Sequence, residues 1–95
     1  MAGTAERTLK IRNKLGLHAR AAVKFVQMAQ KYKSEIKVIK DDQEANGKSI
    51  MGLLTLVAAL GMEIKVSATG GDAEDAVAAI AALVDRGFDE GVVDA

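Results

Sequence analysis

The sequence predicts an α+β domain in two layers, an open-faced β-sandwich: a mostly antiparallel four-stranded sheet with three helices on one face. Three observations carry this reading. Three segments alternate apolar and polar residues with period two, and a fourth, shorter one follows the second. Three others repeat apolar residues at helical spacing or as a short apolar run. The order is β-α-β-β-α-β-α, with short connections and no repeat or linker, which places all 95 residues in one domain. The same order is compatible with a ferredoxin-like arrangement.

Residues 1–6 are small and polar and read as a frayed terminus. Thr8-Leu9-Lys10-Ile11-Arg12-Asn13 alternates as a half-buried strand, and Lys14-Leu15-Gly16 makes a turn. From about Ala19 to Lys31 the period becomes helical, with Ala22, Phe25, Val26 and Ala29 on one stripe and Lys24, Gln27 and Gln30 on the wet face. Glu35 to Lys40 alternates again, Gln43 to Asn46 is a short return strand, and Asn46-Gly47 is a turn signal. Ser49 suits the N-cap of a short apolar helix running from Ile50 to Val57. That segment holds more apolar residues than one buried stripe needs, so part of Ile50, Met51 and Leu54 is expected in solvent. Glu63 to Ala68 is the third full strand. Asp72 reads as the N-cap of the last helix, with Asp75 three residues on, close to a capping box. Gly87 stops that helix, and Gly91 to Ala95 is a tail.

Composition narrows the function. With no cysteine in the chain, disulfide scaffolds, thiol nucleophiles and zinc–thiolate sites are excluded. Thirteen basic residues balance thirteen acidic ones, and three aromatics offer no stacking surface, so nucleic acid is not an expected partner. No apolar run reaches the length of a membrane span, and the start of the chain has no signal-like segment. A cytoplasmic protein without membrane insertion is expected.

The only histidine, His18, stands where the first strand gives way to the first helix. A lone histidine is by itself more often a surface or cap residue than a functional one. Here, though, the unpaired N–H groups and the positive end of a helix would lie beside it. Arg20 adds a donor fork matched to phosphate. A neutral imidazole is a nucleophile near neutral pH, and phosphoryl transfer needs chiefly positioning and charge stabilisation. The pair therefore suits a transient phosphohistidine. One histidine without clustered carboxylates supplies too few ligands for a metal, and nothing calls for a cofactor. Ser49 is by default a helix cap; a phosphate there would be tolerated by the helix N-terminus. Gly47-Lys48-Ser49 lacks the upstream glycine of a nucleotide-binding loop, with Asp42 in its place. A pure interaction module working through Ile50 to Leu54 does not account for His18 with Arg20, and a ferredoxin-like small-molecule sensor would need ligand-contacting residues that the sequence does not offer.

Two stretches carry a family resemblance. Gly16-Leu17-His18-Ala19-Arg20 and Lys48-Ser49-Ile50-Met51-Gly52-Leu53 resemble the two defining motifs of HPr, the histidine-containing phosphocarrier family of the bacterial phosphoenolpyruvate-dependent sugar phosphotransferase system. The similarity runs from about Thr8 to Val84. The resemblance implies a monomeric carrier, a substrate rather than an enzyme, that takes a phosphoryl group from enzyme I on the Nδ1 of His18 and passes it to EIIA domains. Arg20 would hold the phosphoryl group. Ser49 would be the regulatory serine, modified by an HPr kinase/phosphorylase where the organism has one. Ala19, Val23, Gln27, Ile50, Met51 and Leu54 would dock partners alongside Arg20. The chain departs from the family in having Ala21 where proline is usual. Asn13-Lys14-Leu15-Gly16 resembles the nitrogen-related branch, whereas Lys48-Ser49-Ile50-Met51-Gly52 resembles the kinase-regulated one.

Overall fold

The alternating segments pair through β4 (Glu63–Gly70), the central element of the domain. On one side β4 lies antiparallel to β1 (Gly3–Lys10), from Gly3 opposite Gly70 to Lys10 opposite Glu63. On the other it lies antiparallel to β2 (Glu35–Lys40), which pairs in turn with β3 (Gln43–Asn46). The sheet order is therefore β1-β4-β2-β3 and every ladder is antiparallel. This is a computed structural model and it describes residues 3–93. The helices are α1 (Ala19–Ala29), α2 (Ile50–Thr55) and α3 (Ala73–Asp85), and a single 3-10 turn follows at Gly87–Asp89. Among the described residues no helix is long and apolar enough to cross a membrane.

Period-two alternation decides which face of the sheet is covered. Ile64, Val66 and Ala68 of β4 and Ile36 and Val38 of β2 are buried, as is Leu9 of β1. The helices lay their stripes over that face: Ala22, Phe25, Val26 and Ala29 from α1, Leu53 from α2, and Val77, Ile80, Leu83 and Val84 from α3. The open-faced α+β sandwich is the one the alternation calls for.

Four expectations need correction. Residues 3–6 are ordered into β1, because an edge strand needs backbone partners rather than an apolar pattern, and β4 supplies them; Met1 and Ala2 lie outside the described residues, as do Asp94 and Ala95 of the tail. The strand ends at Lys10, so Ile11 to Asn13 belong to the loop beyond. Helix α1 ends at Ala29 and α2 at Thr55; Val57, beyond α2, takes a left-handed φ of 51° that a helix cannot use. Asp72 occupies the N-cap position of α3 without capping it. Its carboxylate accepts from the N–H groups of Lys33 and Ser34 and from the Ser34 hydroxyl, joining the end of α1's connection to the start of α3. Those bonds, led by the Ser34 hydroxyl, hold the Asp72 carboxyl below its ordinary range.

Gly16 has a φ of +67°, and a Cβ there would lie 2.5 Å from the carbonyl oxygen of Ala58. Gly16→Ala therefore combines left-handed strain with a backbone clash. We expect it to lower the unfolding free energy by about 2 kcal/mol or more in urea titration.

Candidate functional site

His18 is brought into place by the loop between β1 and α1. The Gly16 N–H donates to the Asn13 carbonyl at 3.1 Å, and Asn13 Nδ2 donates back to the Gly16 carbonyl at 2.8 Å. Leu17 N–H then donates to the Ala58 carbonyl at 2.8 Å, fixing the loop to the chain beyond α2. His18 follows with extended backbone and is the N-cap of α1, its carbonyl accepting from Ala22 N–H at 2.8 Å. Its side chain does not cap the helix, and the first turn holds no acidic residue. The positive end of α1 thus receives no anion from its own first turn or cap.

The imidazole turns instead to Glu90, with Nε2 2.6 Å from Oε2. The other carboxylate oxygen of Glu90 accepts from Asn13 Nδ2 at 2.9 Å. Asn13 is fully buried and spends both amide hydrogens on Gly16 and Glu90, leaving its Oδ1 without a partner among the described residues. An orphaned buried acceptor costs about 1–3 kcal/mol. That cost sits where one side chain joins the loop before His18 to the carboxylate that touches it. Burial pushes the Glu90 carboxyl up, but the hydrogen bonds from Asn13 and His18, with the charges of His18 and Lys24, outweigh it and hold the carboxyl below its ordinary range.

The segment carrying Glu90 is bent to reach the histidine. Gly87, Phe88, Asp89 and Gly91 all have positive φ, at 67°, 54°, 64° and 108°. Left-handed backbone costs about 1–2 kcal/mol at a non-glycine residue such as Phe88 or Asp89. Several contacts hold it: the Phe88 ring is fully buried, Lys24 Nζ donates to the Phe88 carbonyl at 2.7 Å, and Arg86 pairs with Asp89 at 2.7 Å. Beyond it, Val93 N–H donates to the Arg12 carbonyl at 2.8 Å, so the segment read as a tail is tied at Val93 to the site loop.

The residues singled out from the sequence fall around this centre. Arg20 is exposed, has no ion-pair partner among the described residues, and lines an open groove with Lys14, Leu15, Glu90 and Val92. Ser49 is the N-cap of α2, its Oγ accepting from Gly52 N–H at 3.0 Å. Helices α1 and α2 pack together, leaving Ala19, Val23 and Gln27 exposed on one and Ile50 and Met51 on the other, with Leu54 half-buried. Met51 is 73% exposed and Leu15 66%. Sequence reading missed Glu90, Asn13 and Lys24. It took Asn13 for a strand residue and Lys24 for a solvated one, and Glu90 lies 72 positions from its partner.

The PTS-HPr family model, described as "PTS HPr component phosphorylation site", matches residues 5–86. The chain belongs to the HPr family. It is similar to the phosphocarrier protein HPr of Neisseria meningitidis serogroup A, 48% identical over 86 residues that cover 90% of this chain and 97% of the relative. It is also similar to the phosphocarrier protein NPr of Escherichia coli K12, 43% identical over 88 residues covering 92% and 98% of the two chains. Among solved structures, HPr-C-His from Thermoanaerobacter tengcongensis superposes with a TM-score of 0.89 at 45% identity, covering 93% of this chain and 99% of that one. The HPr family is one of phosphocarriers of the phosphotransferase system rather than of catalysts, and relatives of both the HPr and NPr names stand at similar identity. The family match ends at residue 86, so Glu90 lies beyond it.

Because the Glu90 carboxyl is held below its unfolded value of 4.5, its contribution to stability is complete above that pH and is lost as pH falls through the folded value. In urea titrations from about pH 6 to about pH 3, Glu90→Gln should lose stability less steeply than the parent chain on the acid side. Equal acid slopes would show that Glu90 makes no such contribution.

Proposed function

We propose that this chain carries a phosphoryl group on His18 Nδ1, receiving it from phosphorylated enzyme I and passing it to EIIA domains. The observation that carries the reading is the position of His18 itself. It caps a helix whose positive end it leaves open, and among the described residues Nε2 alone of its two ring nitrogens is engaged by a protein group. An anion on Nδ1 is favoured by the helix end and by the exposed guanidinium of Arg20. Family membership supports the same chemistry. Ala19, Val23 and Gln27 with Ile50, Met51 and Leu54 form the docking face, an apolar patch with small polar breaks beside the phosphoryl seat. Ala21, in place of the usual proline, is fully buried in the helix and leaves the seat's N–H groups in place.

Incubation with enzyme I and labelled phosphoenolpyruvate should give an acid-labile adduct on the parent chain and none on His18→Ala. Equal labelling of His18→Ala would overturn the reading. Arg20→Ala should be labelled about tenfold more slowly, one charge-assisted contact to the phosphoryl group being lost.

Ser49 is read as a second, regulatory site. Its hydroxyl is half-exposed at the N-cap of α2, next to Ile50 and Met51. A phosphate there adds about two negative charges beside the docking face. Labelling of His18 in Ser49→Asp should be slower than in the parent chain, and an unchanged rate would count against regulation at this position.

A further inference from the structure

We propose that Glu90 is a positioning residue for phosphoryl transfer at His18: it keeps a proton on Nε2 and so presents the Nδ1 lone pair to the incoming group. The inference rests on the reading of His18 as phosphoryl acceptor and goes beyond it, because Glu90 lies outside the family match.

An ionised carboxylate only accepts hydrogen bonds. Glu90 is favoured in that form by its bonds to Asn13 and His18. The 2.6 Å contact therefore requires a hydrogen on His18 Nε2. A neutral imidazole has one ring proton, so with Nε2 occupied Nδ1 carries the lone pair. The carboxylate cannot rotate away freely, since its second oxygen is held by Asn13 Nδ2 at 2.9 Å. Asn13 is itself fixed by the Gly16 carbonyl, in the loop that sets the backbone of His18. The ring and the group that orients it thus share one buried anchor.

The transfer balances without a base. The Nδ1 lone pair forms the N–P bond while the bond from phosphorus to the donor breaks, its electron pair leaving with the donor. The ring, still protonated on Nε2, becomes a phosphoimidazolium cation beside the Glu90 carboxylate. On onward transfer the N–P electron pair returns to Nδ1 and Nε2 keeps its proton throughout. Glu90 stabilises the cationic ring in the loaded state, as a buried carboxylate stabilises an imidazolium elsewhere.

Glu90→Gln tests this sharply, because an amide has a single oxygen. Asn13 Nδ2 still needs an acceptor, so the glutamine oxygen is drawn to Asn13 and its amide group faces His18. Nε2 must then accept, which sends the ring proton to Nδ1 and blocks the nucleophile. In the free, folded 15N-labelled chain, the ring nitrogen shifts should report the Nε2–H tautomer for the parent and a shift toward Nδ1–H for Glu90→Gln. Phosphorylation by enzyme I at saturating donor should slow by at least about tenfold in Glu90→Gln, with the half-saturating concentration of donor little changed. Glu90→Ala, which removes the carboxylate without supplying an amide donor, should show a mixture of tautomers and an intermediate rate. An unchanged tautomer in both variants, or a shifted tautomer with the parent rate, overturns the role of Glu90. If His18→Ala still accepts label, the underlying reading fails instead, and the two failures are told apart in the same set of chains.

Discussion

The contact on which the site depends is the 2.6 Å hydrogen bond between His18 Nε2 and Glu90. One carboxylate decides which ring nitrogen is engaged, and through Asn13 the same carboxylate is joined to the loop that sets the histidine's backbone. Much of the surrounding structure can be read as what is needed to deliver that carboxylate. The chain turns sharply after α3 through Gly87, Phe88 and Asp89, all at positive φ, and is held in the turn by a buried ring and by Lys24. Left-handed strain at non-glycine residues and a buried carbonyl without a partner are costs that the core must offset.

The core offsets them by ordinary means. The sheet buries one face under helices with largely aliphatic stripes, and Phe25 from α1 and Phe88 from the closing turn are fully buried in the same core. This leaves the exposed ends of α1 and α2 free to be polar or apolar as binding requires. Leu15, Val23, Ile50 and Met51 are exposed. A rigid scaffold with exposed apolar side chains on its loops and helix ends is the usual arrangement for a binding surface.

The sheet and the helices were largely legible because their signals are local. Alternation in Glu35 to Lys40 and Glu63 to Ala68, and the stripe of Phe25, Val26 and Ala29, follow from which side of an element is buried. Ser49 was legible as a cap because it bonds three residues away. What failed to show depended on distant partners. Asp72 has the sequence of a cap, yet Ser34 and Lys33, nearly forty positions earlier, claim its carboxylate. Residues 3–6 lack a strand pattern and pair because β4 offers an edge. Glu90 carried no local signal beyond the glycines on either side of it, and its contact with His18 emerges only when the fold closes 72 positions into a hydrogen bond. Motif resemblance pointed to His18 and not to the carboxylate bonded to it.

The central claim is that Glu90 reserves Nε2 and leaves Nδ1 to react. Its most direct test is nuclear magnetic resonance of the 15N-labelled chain loaded from phosphoenolpyruvate through enzyme I. The account predicts phosphorus–nitrogen coupling at Nδ1 of His18, with Nε2 still bearing its proton. Coupling at Nε2 would contradict it.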